Sequence, residues 1–236
     1  MRRSGLAPWL AVGAAIMAAI AAHASDSLDA YRALAHGERE RVVACARGAI
    51  ERALLPADTL IATVEARAGR VRRNVPDTLA LDWPGAPCGV YLSLARGRVT
   101  RACVGSLTPL DATLAGTLRE LARRVVSDDP RHPPVRSEEL DTLAVLVSFA
   151  GTPEPIADPM VVSPAREGLL ITSAQGSIAF LPGEARTVSW ALGEARRVGI
   201  LRHASDATFQ RFAVVVLKDV PADLPMPAHP LSRTRR

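Results

Sequence analysis

The sequence predicts an α+β fold with a mostly antiparallel sheet and packed helices. Short apolar runs separated by turn residues, at 89–95 with 98–104 and at Gly168–Ser173 with 177–181, predict two β-hairpins. Stretches with an apolar residue at every third or fourth position lie between these strands and predict helices. Hairpin strands with interspersed helices are typical of the α+β class. The 236 residues, of which 48% are hydrophobic and 22% charged, are enough to form a buried core.

An amphipathic helix, a hairpin and a second helix are predicted in the first half of the chain. Apolar side chains at helical spacing predict the first helix at 36–55. The dipeptide Arg96-Gly97 fits a two-residue hairpin turn in which glycine takes the positive-φ position. The second helix is predicted at 108–126, with Thr108 as its N-cap followed by a proline at the first helical position.

The remaining elements follow from proline content, strand alternation and helical spacing. In chain order they are a weak helix at 58–67, a loop at 69–87, an extended proline segment at 129–136, a helical turn at 137–140, a central strand at 142–150, a proline-rich linker at a sub-lobe edge at 153–159, a helix at 184–198 and a final strand at 207–217.

The two ends of the chain differ in composition from the body. Residues 1–24 combine an arginine pair, an apolar run and a final Ala-His-Ala, which are the three parts of a secretory signal. We expect cleavage after Ala24 and export to the periplasm or out of the cell. An uncleaved anchor is the alternative, although the apolar run is short for a membrane span. Residues 25–35 lead into a domain at 36–220, and 221–236 form a basic, proline-rich tail that is predicted to be disordered.

The net charge of +5 does not indicate nucleic-acid binding. Five arginines lie within the first three and the last four residues, so the body carries no concentrated positive excess. Aromatic residues, at 4%, are scarce for base stacking. We therefore expect no nucleic-acid partner, and no stable membrane span once the signal is removed.

Cys103 is the strongest candidate for a catalytic residue, as a nucleophile. Strand alternation puts Arg101 and Cys103 on one face, and a neighbouring guanidinium would lower the pKa of the thiol and make it nucleophilic. The candidate bases are His132 and Glu154, both distant in sequence. The alternative is a buried core cysteine, with Arg101 pairing with an acid or capping a helix.

The other two cysteines leave a further interpretation open. If Ala95 pairs with Arg98 in the hairpin, Cys88 becomes a diagonal neighbour of Cys103 on the same face, and an oxidising compartment permits a disulfide between them. Cys45, on the apolar side of the first helix, would then be the remaining thiol.

No metal site or cofactor is predicted, because the histidines are scattered without ligand spacing and no phosphate loop or nucleotide fingerprint is present. Arg131 with Asp128 and Asp129 could hold a small anion. An Asp-Pro-Arg turn can equally be structural, with the aspartate accepting hydrogen bonds from backbone N–H groups.

Two motifs carry a family resemblance. Residues 101–106, Arg-Ala-Cys-Val-Gly-Ser, resemble the Arg-Gly-Cys-Ile-Gly signature of the AMMECR1 domain family, and 129–134, Asp-Pro-Arg-His-Pro-Pro, resemble its Asp-Pro-Arg-Phe-Pro-Pro. Further similar positions follow in the family's order; they are Glu139-Leu140, Val147-Ser148, 153–156, Gly168-Leu169, Leu181-Pro182 and Trp190. The resemblance extends over about 36–217. Three positions depart from the pattern: Ala102 replaces a glycine, His132 an aromatic residue and Gly183 a glutamine.

The resemblance implies an α+β fold with a larger and a smaller lobe, and a protein of unsettled biochemical activity. It also implies an association with Memo-like and radical-SAM proteins, the AmmeMemoRadiSam system, so a Memo-like protein is a candidate partner. An exported member would not share a compartment with cytoplasmic partners of that kind.

Two functional hypotheses follow. The first is an exported accessory module that binds a small ligand or a protein partner in a cleft; the expected binding residues are Arg101, Cys103, Gly105, Asp129 and Arg131. The second is a thiol-dependent enzyme with Cys103 as nucleophile, Arg101 lowering its pKa, and His132 or Glu154 as the base.

Overall fold

The structure is a computed structural model that describes residues 28–54, 81–97 and 99–219. The predicted signal at 1–24, the weak helix at 58–67 and the tail at 221–236 lie outside the described residues, as do parts of the lead-in at 25–35 and of the loop at 69–87.

The larger lobe is a four-stranded antiparallel sheet with two helices on one face. Its strands are β1 (Gly89–Arg96), β2 (Val99–Ser106), β3 (Ala144–Ala150) and β8 (Val214–Lys218), in the order β2-β1-β3-β8. The helices α1 (His36–Leu54) and α2 (Leu114–Ser127) pack against each other and against this sheet. Their apolar faces and alternate residues of β1 and β3, such as Leu92 and Val147, form the main core.

The smaller lobe is a second antiparallel sheet with one helix. Its strands are β4 (Glu154–Ile156), β5 (Gly168–Ser173), β6 (Gly176–Phe180) and β7 (Ala207–Phe212), in the order β4-β7-β5-β6. Helix α3 (Val188–Arg197) shares a core with this sheet, in which Ile171 and Ala191 are fully buried. The predicted α+β class with an antiparallel arrangement is confirmed. Among the described residues, no helix is long and apolar enough to cross a membrane.

A third apolar cluster joins the two sheets. It contains Tyr91 of β1 and Phe212 of β7, whose rings are nearly parallel with centroids 6.2 Å apart. Each ring lies over a glycine of the neighbouring strand: a Cβ at Gly105 would be 2.0 Å from the Tyr91 ring, and a Cβ at Gly168 would be 2.3 Å from the Phe212 ring. These two glycines therefore make room for the aromatic contact between the lobes.

Some element boundaries differ from the prediction. Helix α2 begins at Leu114 rather than after Thr108, because the Thr113 side chain accepts a hydrogen bond from Gly116 N and acts as the N-cap. Helix α3 begins at Val188, four residues later than predicted.

Two segments also have a different role from the predicted one. The proline-rich stretch 153–159 is not only a linker, since it contributes β4, which pairs with β7. The predicted final strand at 207–217 is two strands in different sheets, β7 and β8, separated at Ala213. The chain thus returns from the smaller lobe to the larger one at this point.

Candidate functional site

The register of the β1–β2 hairpin differs from the predicted one. Arg96 pairs with Val99, so the turn is shifted by one residue, and Gly97 takes the expected positive φ of 63°. A β-bulge lies between Leu94 and Ala95 and leaves Arg101 as the extra residue of β2. Beyond the bulge, Cys103 lies opposite Ser93.

This register separates Cys103 from Cys88. Because side chains alternate between the faces of a strand, the shifted pairing puts Cys88 in the core beneath the helices and Cys103 in the cluster between the lobes. None of the three cysteines, all of which lie in the described residues, forms a disulfide, and all three are buried. The predicted alternative of a Cys88–Cys103 disulfide is therefore wrong.

The Cys103 thiol is buried. Cys103 is 9% exposed, and Ser93 Oγ donates a hydrogen bond to Cys103 Sγ at 3.2 Å. Burial, followed by the negative charge of Glu184, raises the pKa of Cys103 to about 12. The expected lowering of this pKa by Arg101 is wrong, since Arg101 directs its guanidinium to other partners.

Arg101 fastens the proline segment to β2. Its Nε and one terminal nitrogen donate to the Glu139 carboxylate at 2.8 and 3.0 Å, and its terminal nitrogens also donate to the carbonyls of Pro133 and Pro134 at 3.0 and 3.1 Å. The hydrogen bonds from Arg101 lower the pKa of Glu139 to about 2. Glu139 belongs to the 3₁₀-helix Ser137–Thr142, whose first turn it also caps through Arg136 N. The Arg101 side chain is 18% exposed, and it holds the proline segment and the 3₁₀-helix against β2.

Asp129, Arg131 and Glu184 form a second and deeper network. Asp129 Oδ2 accepts the Cys103 backbone N–H at 2.8 Å, and Oδ1 accepts Arg131 Nε at 3.0 Å. Arg131 also donates to Glu184 Oε1 at 2.7 Å and to the Cys103 carbonyl at 3.4 Å. The three charged side chains are 3%, 9% and 7% exposed, in chain order. The network therefore occupies the edge of β2 and connects it to the smaller lobe.

The charges in this network stabilise one another. Burial alone would raise the pKa of Asp129, but hydrogen bonds from Arg131 and Cys103 outweigh it and lower that pKa. Burial would likewise lower the pKa of Arg131, yet the Asp129 and Glu184 carboxylates raise it. Asp129 thus acts as the predicted acceptor for backbone N–H groups, and the Arg131 guanidinium is engaged by Asp129, Glu184 and the Cys103 carbonyl.

The predicted catalytic residues are not brought together. His132 follows Arg131 on the loop and is half-buried, and its backbone N–H donates to the Asp129 carbonyl at 3.2 Å. Glu154 lies on the edge strand β4 with a side chain 61% exposed and pairs with Arg211 at 3.3 Å. Within the described ranges, neither side chain hydrogen-bonds to Cys103. Gly105 lies beneath the Tyr91 ring.

Two surface grooves lie away from these residues. One, of about 320 Å³, runs along α2 and has Arg119, Arg123 and Arg124 among its lining residues. The other, of about 370 Å³, lies at the ends of β5 and β7 and is lined mainly by small and hydroxyl side chains, with Asp206. In the part of the chain that the structure describes, no group of three His, Cys, Asp or Glu side chains is placed to hold a metal ion.

The groove along α2 was not predicted from the sequence. The signal that could have indicated it is the spacing of Arg119 and Arg123, which lie one helical turn apart on the polar side of this amphipathic helix. Glu184 was also missed, because its partner Arg131 is 53 residues away in sequence.

The AMMECR1 family model matches residues 43–214, which includes both lobes. The chain belongs to the AMMECR1 family. A protein of Thermococcus gammatolerans is 36% identical over 126 residues, covering 49% of this chain and 60% of that protein. A protein of Methanothermobacter thermautotrophicus is 30% identical over 166 residues, covering 68% of this chain and 79% of that protein.

A solved structure shares the architecture. The crystal structure of the uncharacterized protein PH0010 from Pyrococcus horikoshii matches with a TM-score of 0.53 and 25% identity, covering 79% of this chain and 93% of that one. The alignment to the Thermococcus gammatolerans relative spans less than two thirds of that relative's length. The family assignment thus defines an AMMECR1 domain-containing protein whose biochemical activity is uncharacterised.

Proposed function

We propose that this AMMECR1-family protein is an exported accessory module that binds a protein partner, rather than a thiol-dependent enzyme. A nucleophilic thiol needs a lowered pKa and a base within reach. Cys103 is buried with a pKa of about 12, and Glu154 lies exposed on the outer strand of the other sheet. The geometry therefore favours binding over covalent catalysis.

The observation that carries the proposal is an exposed apolar surface on the smaller lobe. Met160 and Val161 are 58% and 62% exposed on the 3₁₀-helix Pro159–Val161, which lies beside α3. Trp190 of α3 is 43% exposed, and its ring packs edge-on against Phe180 with centroids 5.9 Å apart. Large apolar side chains exposed on neighbouring elements are typical of a protein interface, and tryptophan and methionine are enriched there.

In this proposal, the residues of the family motifs hold the binding surface in place. The loop that carries Asp129 and Arg131 is bound to β2, and Arg131 is bound to Glu184 just ahead of α3. Their charged groups already have protein partners, so we assign them to positioning the smaller lobe. The apolar surface formed by Met160, Val161 and Trp190 takes the place of the expected cleft around Arg101, Cys103 and Arg131.

Export is part of the same proposal. The arginine pair, apolar run and Ala-His-Ala of residues 1–24 support cleavage after Ala24. Mass spectrometry of the protein from the envelope fraction should then give a chain that begins at Ser25. A chain with an intact first residue would contradict cleavage and favour an anchor. A partner for the mature protein should also lie outside the cytoplasm, and this argues against a cytoplasmic Memo-like protein.

Site-specific crosslinking in living cells tests the binding surface. A photoreactive amino acid is placed at Val161, and as a matched control at Val99, which is 68% exposed on the larger lobe. We expect a crosslinked protein product from position 161 and none from position 99, and the product should weaken when Trp190→Ser is added. A product equal at both positions, or none at either, would contradict a partner-binding surface here. A product containing two copies of this chain would identify self-association instead.

A further inference from the structure

The groove along α2 presents three guanidinium groups on one side of the larger lobe. Arg119, Arg123 and Arg124 line it together with Glu120 and Asp111, which gives a local excess of one positive charge. Arg119 is exposed, and the side chains of Arg123 and Arg124 are 64% and 43% exposed. The positive groups are therefore open to solvent, unlike Arg131 in the network between the lobes.

Glu120 arranges two of the three arginines. Its Oε2 accepts Arg123 NH1 at 2.7 Å, and its Oε1 accepts Arg124 Nε at 2.9 Å. The two guanidinium groups are held on either side of one carboxylate, and each keeps further N–H donors that this carboxylate does not use. Among the described residues Arg119 forms no ion pair within 4 Å, although its charge interacts with that of Asp111, so its N–H donors remain available for a ligand.

The acidic end of the groove is already engaged. Asp111 Oδ1 accepts the Thr113 backbone N–H at 2.9 Å and its hydroxyl at 2.8 Å. Its carboxylate also lies over Gly116, where a Cβ would be 2.1 Å from Asp111 Cγ. The absence of a side chain at Gly116 thus lets Asp111 fold back onto the start of α2. The Asp111 carboxylate is directed to the start of α2. The charge of the rest of the groove is therefore set mainly by the three arginines.

We propose that this groove binds a small molecule through a phosphate group. Arginine forks match the oxygen geometry of phosphate and bind it bidentately, and three of them can surround one tetrahedral dianion. The groove volume of about 320 Å³ is within the range of small-molecule sites, which allows the phosphate to carry a small organic group. This site lies on the larger lobe and is independent of the apolar surface on the smaller lobe.

Titration with defined phosphates tests the site. Inorganic phosphate and glycerol phosphate are added separately to the purified ¹⁵N-labelled protein, and the Nε–H signals of the arginine side chains are followed by NMR. We expect the signals of Arg119, Arg123 and Arg124 to shift with one common Kd, while that of Arg197 stays unchanged. Binding of both probes would indicate that the phosphate group suffices. Tighter binding of glycerol phosphate would show that the organic group is also contacted. Glycerol and citrate serve as controls for the uncharged part and for general anion binding.

Two matched arginine variants provide the decisive comparison. Arg119→Gln should weaken phosphate binding about tenfold, since it removes charge-assisted hydrogen bonds. Arg197→Gln removes the same charge from an exposed pair with Glu194 on α3 and should leave the Kd unchanged. Both changes are at exposed positions, so equal thermal stability of the variants will show that the fold is retained. An equal loss of affinity in both variants, or citrate binding as tight as phosphate binding, would overturn the proposal.

Discussion

Arg131 NH1 lies 2.7 Å from Glu184 Oε1, and this buried contact joins the two lobes. Arg131 belongs to the loop that follows α2, whereas Glu184 lies between β6 and α3 and accepts the Leu181 backbone N–H through its second oxygen. Asp129 continues the connection to the backbone of Cys103 in β2. The relative position of the lobes therefore depends on a charged network as well as on the Tyr91–Phe212 contact.

Replacing Arg131 should strongly destabilise the protein. Arg131→Gln leaves Asp129 and Glu184 buried without a counter-charge, and breaking a buried pair in this way costs roughly 3–5 kcal/mol of unfolding free energy. Urea unfolding monitored by circular dichroism measures the change. Arg211→Gln is the matched control, because Arg211 pairs with Glu154 and Glu167 near the surface and should contribute no more than about 1 kcal/mol. A loss for Arg131→Gln as small as that of the control would show that the network is not structural.

A side chain at Gly105 should also be poorly tolerated. In Gly105→Ala, the new Cβ would meet the Tyr91 ring at 2.0 Å, and the ring would have to leave its present position beside Phe212. We expect a loss of about 1–3 kcal/mol of unfolding free energy from this overpacking. Gly193→Ala in α3 has open space around its Cβ position and should instead stabilise by about 0.5–1 kcal/mol, because alanine favours a helix. Urea unfolding distinguishes these opposite signs, and a stabilising Gly105→Ala would contradict the assigned role.

Local patterns predicted the elements of this fold better than their connections. The helical spacing at 36–55 is a property of neighbouring residues, and α1 ends within one residue of the prediction. The strand pattern at 207–217 is equally clear, but the transfer of the chain between sheets at Ala213 depends on which strand each half pairs with. Pairing partners are set by tertiary contacts, which periodicity does not contain.

The roles of the candidate site residues were harder to predict from local patterns than the elements of the fold. The family motifs correctly drew attention to residues 101–106 and 129–134, which lie side by side in the structure. The predicted role of Cys103 was wrong because the bulge between Leu94 and Ala95 changes the face of the sheet on which the Cys103 side chain lies. The local sequence here gives no signal for a bulge. The role of Arg131 likewise depends on Glu184, which the sequence separates from it by 53 residues.

The Arg101–Glu139 pair predicts a loss of stability in acid. The pKa of Glu139 is lowered from 4.5 to about 2, so its stabilising contribution is complete above pH 4.5 and is lost as the pH falls toward 2. At pH 7, Glu139→Gln should be less stable than the natural protein by about 1 kcal/mol, since the pair is partly exposed. Urea unfolding from pH 7 to pH 2 should show the two proteins converging at the acidic end. A constant difference over this range would contradict the assignment of the lowered pKa to this pair.

The Cys103 thiol should be unreactive in the folded protein. Its pKa is raised from 9.0 to about 12, so the thiolate fraction at neutral pH falls about a thousandfold, and burial restricts access further. Alkylation at pH 7 is measured on the double variant Cys45→Ala/Cys88→Ala, in which Cys103 is the remaining cysteine. The reference variant also carries Cys103→Ala and Ser189→Cys, so that its single thiol is exposed on α3. We expect Cys103 to react at least about a thousandfold more slowly than the reference thiol. Because the folded form holds its proton more tightly than the unfolded form, the protein should also lose stability as the pH rises from 9 toward 12. Rapid labelling of native Cys103 at pH 7 would contradict the buried, protonated thiol and would favour a thiol-dependent enzyme over the binding module.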